Sequence, residues 1–227
     1  MMESTSKNIW LRKILLTNNL KVDDVQIDLL VDYVNLLLDK NNSVNLISRK
    51  DIENFWEKHI IHSASILFYY SFHKNFRILD LGSGGGLPGI PVKILQPNIE
   101  LTLVDSVKKK VDATADFVKK LNLSRTKVIW SRAEDLGNEH LSHYDVVVSR
   151  AVAPLKDLIR WSYPLIKRSG TTPLGSTLIA LKGGDLEDEI KHAKLYGKYK
   201  EIIVTDLVIK GIDSNILQDK KIVAVRF

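Results

Sequence analysis

The stretch "DLGSGGGLPGIP", residues 80–91, sets glycines at 82, 84 and 86 behind a short apolar run, and Pro88 then leads into a second one. Glycine reaches backbone conformations that other residues resist and carries no Cβ, so a ligand can lie against the main chain. Proline suits the first turn of a helix. Ligands of open α/β sheets bind at such a place, outside the carboxyl ends of the strands. The next apolar run ends in Asp105, 23 residues after Gly82, where a carboxylate can accept both hydroxyls of a ribose.

A glycine loop followed by such an acid describes a site for an adenosine-containing cofactor. A phosphate-cradling loop has the form G-x-G-x-x-G, and here Leu87 stands in the place of the third glycine. Asp80 lies just before the first glycine, an acid better matched to an ammonium and a sulfonium than to a pyrophosphate. The D-x-G-x-G-x-G form points to S-adenosylmethionine, with its methionine half over the glycines. A dinucleotide site and a purely structural turn are the alternatives.

Two further stretches suit the same pocket. In "SRAED" (131–135), Glu134 and the amide of Ala133 can bracket an adenine, and the alternative is a polar loop with a helix-capping acid. In "SRAVAPL" (149–155), Arg150 follows "VVVS" at the end of a buried strand, beside which the substrate of such a fold lies. Its alternative role is a salt bridge to a neighbouring acid.

Positioning these residues requires a particular scaffold. Short runs rich in β-formers, "RILDLG", "IELTLVD", "TKVIWS", "YDVVVSRA" and "STLIALKG", alternate with helical segments near 88–95, 107–122, 154–167 and 184–197. Such alternation predicts a mainly parallel sheet with helices on both faces. The last two runs, "EIIVTDLVI" and "KIVAVRF", have no convincing helix between them and suit an antiparallel hairpin at one edge. The first 70 residues read as helical: Ile9, Trp10, Ile14 and Leu15, then Val25, Leu29, Leu30, Val34, Leu37 and Leu38, follow helical spacing. After a loop at Asn41 to Ser43, Asp51 can cap a third helix carrying Phe55, Trp56, Ile60 and Ile61. The expected organisation is a helical extension over residues 1–70 and an α/β domain over 71–227.

The chain of 227 residues has no cysteine, which excludes disulfides, thiolate metal sites and cysteine nucleophiles, and no metal site is expected. Met1 to Lys7 is polar with no apolar segment after it, and no apolar run approaches the roughly 18 residues of a membrane span, so a cytoplasmic protein is expected. Lysine and arginine number 33 against 27 acids, a net +6 that suits a polyanionic partner or a solvated basic surface.

The motifs "NLIS" (45–48), "HIIHS" (59–63), "DLGSGGGLPGIP", "TLVDS" with the lysines after it (102–110), "SRAED", "DVVVSRAVAPL" and "ALKGG" (180–184) occur in the order and spacing of one known family. From about residue 25 to the C terminus the chain resembles RsmG, also called GidB, the bacterial 16S ribosomal RNA guanine-N7 methyltransferases. The resemblance implies a Rossmann-like methyltransferase fold with a mostly parallel seven-stranded sheet. It also implies methyl transfer from S-adenosylmethionine to guanine 527 of 16S rRNA. Its cofactor contacts fall on Gly82, Leu87, Ala133, Glu134 and Arg150, with Asp105 as the ribose-binding acid; Asp80 and Gly84 join them from the loop itself. Where the family often has an acid, this chain has His62.

On this reading a monomer binds 16S rRNA, within the small subunit or an assembly intermediate, through phosphate contacts from Arg49, Lys50, Lys108, Lys109 and Lys110. Arg150 is the residue expected to position the methionine end. Absences narrow the chemistry. Exocyclic amino methylation commonly uses an Asn/Asp-Pro-Pro-aromatic motif where this chain has "SRAVAPL", and cytosine C5 methylation needs a cysteine. Other readings are a methyltransferase for another RNA or a small molecule, a nicotinamide-dependent oxidoreductase and a noncatalytic RNA-binding module. The missing third glycine disfavours the oxidoreductase, and a preserved cofactor pocket disfavours the binding module.

Overall fold

The computed structural model describes residues 2–48, 54–150, 152–168 and 174–227. Two helices open the chain, α1 (Met2–Thr17) and α2 (Asp24–Asn41). A reciprocal cap starts α2: the Asp23 carboxylate accepts from the Gln26 N–H and the Gln26 side chain accepts from the Asp23 N–H, at 2.8 and 3.1 Å. These bonds satisfy two amide groups that a bare helix start leaves unpaired. The buried stripe of α2 runs through Ile27, Leu30, Tyr33, Val34 and Leu37, while Val25 is 66% exposed and Leu29 and Leu38 are half-buried. The stripe is therefore rotated from the one that the apolar residues alone trace, because Tyr33 takes a buried position for its hydroxyl as well as its ring.

The expected third helix is not a regular one. Asp51 lies outside the described residues. Trp56–Ile61 forms a π-helical turn in which the His62 N–H reaches back five residues to the Glu57 carbonyl. Two short helices follow, α3 (His62–Ala64) and α4 (Ile66–Tyr69). Such wide turns are rare and concentrate at functional sites.

Seven strands then form one sheet: β1 (Arg77–Leu81), β2 (Glu100–Asp105), β3 (Thr126–Trp130), β4 (Val146–Arg150), β5 (Thr177–Gly183), β6 (Glu201–Asp206) and β7 (Lys220–Arg226). Their order is β3-β2-β1-β4-β5-β7-β6, with β7 antiparallel to both neighbours and every other pairing parallel. The antiparallel hairpin stands at one edge, as the missing crossover helix implied. Helices α5 (Gly89–Leu95), α6 (Lys108–Lys120), α7 (Leu155–Leu165) and α8 (Glu187–Tyr196) occupy the four expected segments. Strands covered on both faces can be apolar throughout, and β4 and β5 carry the buried runs Val146 to Val148 and Leu178 to Leu181.

One apolar core joins α1 and α2 to the sheet, including Leu15, Leu37, Ile60, Ile78, Ile90 and Phe117. The chain runs outward from β1 through β2 to β3, then returns to place β4 on the other side of β1. This reversal opens a crevice at the carboxyl ends of β1 and β4. In register, Leu81 lies opposite Val104 and Ser149, so Gly82, Asp105 and Arg150 emerge along one rim. Among the described residues no helix is long and apolar enough to cross a membrane.

Candidate functional site

The glycine loop leaves β1 with positive φ at Gly82, Gly84 and Gly86, +70°, +55° and +96°. A Cβ on Gly82 would stand 2.4 Å from a methyl of Val152, so a side chain there is excluded by space as well as by conformation. The loop is held on every side. The Gly84 N–H donates to Asp105 Oδ2 at 2.9 Å, and its carbonyl accepts from Thr114 Oγ1 at 2.8 Å. The Gly85 carbonyl accepts from the Tyr33 hydroxyl at 2.9 Å, and the Gly89 N–H donates to Asp80 Oδ2 at 2.7 Å. Four side chains from four elements thus fix the main chain against which a ligand would lie.

Asp80 is fully buried beneath the loop, and its Oδ1 has no hydrogen-bond partner among the described residues. Burial pushes its carboxyl up to about 7, against the opposing pull of the Gly89 amide and the Arg150 charge. Asp105 does more than await a ribose. Its Oδ1 accepts the Val107 N–H at 2.8 Å, so the carboxylate ties the loop to the start of α6. A carboxylate has about four lone-pair sites, so two backbone bonds leave capacity for further donors.

Two cavities abut at this rim and share Gly82, Asp105, Ser106 and Val152. The first, about 320 Å³, is walled by Leu81, Val104, Ser131, Ala133, Glu134 and Trp161. The second, about 420 Å³, is walled by Leu46, Gly84, Leu87, Lys110, Arg150 and His59. Of the residues singled out in the sequence, Gly82, Gly84, Leu87, Asp105, Ala133, Glu134, Arg150 and Lys110 line one cavity or the other. Asp80 sits under the loop, Lys108 pairs with Asp112, and Lys109 is exposed on α6. Arg49 and Lys50 lie outside the described residues.

Arg150 is oriented by the π-helical segment. Its guanidinium donates to the carbonyls of Lys58 and His59, both at 3.3 Å, and to His59 Nδ1. Arginine offers only donors, so Nδ1 is the acceptor and the His59 proton resides on Nε2. Burial, reinforced by the Arg150 charge, depresses the His59 imidazole to about 3. His62, also buried, is driven well below the ordinary histidine range by burial and by the same cation. Both rings are neutral at physiological pH.

Tyr33, Thr114 and Trp161 are site residues that the sequence motifs do not reveal. Tyr33 reads as one more apolar position on α2, and its partner is 52 residues away. Thr114 faces inward on a helix otherwise recognisable by its lysines. None of the three leaves a local signal.

A family model described as rRNA small subunit methyltransferase G, GidB, matches residues 26–216. A protein of Chlorobium luteolum named "Ribosomal RNA small subunit methyltransferase G" is 37% identical over 94% of this chain and 87% of its own length. A protein of the same name from Pelodictyon phaeoclathratiforme is 36% identical over 99% of this chain and 96% of its own. Among solved structures, the METTL16 methyltransferase domain superposes with a TM-score of 0.52 at 16% identity, covering 74% of this chain and 65% of that one, a likeness of fold. With the α/β sheet, the glycine rim and two relatives matched over most of their length in agreement, this chain belongs to the GidB family of small-subunit rRNA methyltransferases.

Proposed function

We propose that the protein is an S-adenosylmethionine-dependent methyltransferase of small-subunit ribosomal RNA, acting in the cytoplasm as a monomer on the subunit or an assembly intermediate. Its target on this reading is N7 of a guanine, position 527 of 16S rRNA, as the family resemblance implies. The observation that carries the reading is the pair of cavities meeting at Gly82 and Asp105.

The residues present suit this cofactor. Gly84, where a Cβ would meet nothing nearer than the Leu46 carbonyl at 4.0 Å, presents bare backbone to the second cavity. Asp105, 8% exposed, stands between the two cavities with lone pairs to spare for ribose hydroxyls. The first cavity, with Ala133, Glu134 and the indole of Trp161, would hold an adenine. The second offers Arg150 and Lys110 to an amino-acid carboxylate. When bound, the cofactor supplies an electrophilic methyl group on a sulfonium.

Guanine N7 carries an in-plane lone pair and no proton, so its methylation requires no general base. The positive charge lost at sulfur is gained by the purine. What remains for the chain is alignment and exclusion of water, which is positioning rather than proton transfer. Arg150, held by His59, serves as the positioning residue. A neutral histidine that already accepts from arginine through Nδ1 is consistent with chemistry that withdraws no proton.

Mass spectrometry of nucleosides from 16S rRNA, with and without the protein, tests the assignment. 7-Methylguanosine should rise only in its presence. A different methylated nucleoside, or transfer to a small molecule alone, would favour the other methyltransferase readings. Calorimetry showing tight NAD binding and none of S-adenosylhomocysteine would overturn the proposal.

A further inference from the structure

Between Lys108 and Arg132 the chain carries eight cations (Lys108, Lys109, Lys110, Lys119, Lys120, Arg125, Lys127 and Arg132) and two acids, Asp112 and Asp116, a net of +6. The whole chain is also +6, so the other residues sum to zero. The excess thus resides on α6, β3 and the residues that flank β3, at one edge of the sheet. Seven of the eight cations are exposed, and Lys110 is half-buried in the second cavity. Salt bridges among the described residues of this face join Lys108 to Asp112, Lys120 to Asp116 and Arg125 to Glu100. Lys109, Lys119, Lys127 and Arg132 add charge beyond those pairs.

The same edge exposes Trp130, the last residue of β3, with 59% of its surface open. The ring is held in place: its Nε1–H donates to the Ser106 carbonyl at 3.0 Å, and the Lys108 ammonium lies 5.7 Å from its centroid. A lysine on an edge strand can serve to prevent strand-to-strand aggregation, but an exposed tryptophan on that edge works against such a purpose. A fixed indole beside basic side chains has the character of a stacking platform for an unpaired base, while the cations track a backbone. Its neighbours Ser131 and Arg132 line the first cavity, so the platform adjoins the site.

We propose that the α6–β3 edge is a docking surface for single-stranded or looped RNA, with Trp130 stacking on a base and the Lys109–Lys127 face neutralising phosphates. This rests on the proposed activity toward RNA and adds where the strand would run. Phosphate contacts make affinity fall with salt, by roughly one power of concentration for each neutralised charge.

The test uses the full-length protein and a fluorescein-labelled 20-nucleotide RNA of mixed sequence, single-stranded or annealed to its complement. Trp130→Ala should weaken single-stranded binding about 5- to 100-fold, leave the duplex little changed, and be rescued by Trp130→Phe. The pair Lys119→Glu and Lys127→Glu should weaken both RNAs at least about tenfold at ~50 mM salt and flatten the salt dependence. All these variants should bind S-adenosylhomocysteine as the unaltered protein does, since none of the three side chains lines the two cavities. Unchanged RNA affinity in both variants, with wild-type RNA and S-adenosylhomocysteine binding intact, would overturn the docking surface and leave the proposed activity standing. Failure of the unaltered protein to bind S-adenosylhomocysteine would instead overturn the activity itself.

Discussion

His59 Nδ1 accepts a hydrogen bond from the Arg150 guanidinium across 91 residues of sequence, and this contact fixes both the tautomer of the ring and the direction of the arginine. Hydrogen bonds to charged groups are worth roughly 1.5–3 kcal/mol. His59→Ala should therefore lower kcat/KM for RNA methylation about 10- to 100-fold while the pH dependence of turnover keeps its shape. His59→Gln, which can still offer an acceptor, should recover part of the loss. A bell-shaped pH profile abolished by His59→Ala would assign the ring to proton transfer instead.

Single-turnover rate at saturating cofactor and RNA should be nearly flat from about pH 6.5 to 8.5. The nucleophile has no proton to lose, His59, held near 3, stays neutral across that interval, and Asp80, which ionises near 7, lines neither cavity. A rate that follows one ionisation through the interval, tenfold per pH unit, would contradict this.

Asp105→Ala removes an acceptor for the ribose and also frees the Gly84 and Val107 amides. Affinity for S-adenosylhomocysteine should fall by roughly 1–3 kcal/mol or more. The unfolding midpoint should fall too, because the loop loses its tie to α6. Asp105→Asn keeps one carbonyl acceptor and should lose affinity with a smaller change in midpoint. Equal calorimetric affinities for all three proteins would dismiss the acid from the site.

Asp80 makes stability depend on pH in a direction unusual for an aspartate. Its folded-state value of about 7 lies above the roughly 4 of an unfolded chain. The folded form holds the proton more tightly, so its stabilisation is complete below about pH 4 and lost as pH rises through 7. At ~1.4 kcal/mol for each pH unit between those values, the loss is at most about 4 kcal/mol. Asp80→Asn retains an acceptor for the Gly89 amide and cannot ionise. It should gain on the wild type by up to that amount between pH 4 and 8, read from urea unfolding. A difference independent of pH would mean that Asp80 ionises normally.

Tyr33→Phe leaves the Gly85 carbonyl without its donor. An unmet buried acceptor costs about 1–3 kcal/mol, and the loop it held belongs to the cofactor rim. Unfolding free energy and S-adenosylhomocysteine affinity should fall together. A stability loss with affinity unchanged would show that α2 supports the core alone.

The parts of this molecule legible in its sequence are those written in local chemistry. The glycines at 82, 84 and 86 announce a bare backbone, and all three adopt positive φ. The period of the apolar runs announces the sheet, and the absence of a helix before the last strand announces its antiparallel edge. What stayed hidden depends on contacts between distant residues. Nothing near Asp80 says that its carboxylate turns inward to the Gly89 amide, because that depends on the path of the loop. Likewise the π-helical turn at Trp56–Ile61 has no mark in its apolar spacing, yet it supplies the acceptors that aim Arg150.

The Tyr33–Gly85 hydrogen bond also bears on how the protein is made. A chain synthesised from its N terminus completes α2 before the loop, 52 residues downstream, exists. The helix must wait, its hydroxyl and the stripe around Leu37 uncovered, until β1 and the glycines emerge and close over it. The binding rim therefore draws one of its four ties from the first forty residues, and a transplant of the sheet and its crossover helices alone would carry the glycines without that tie.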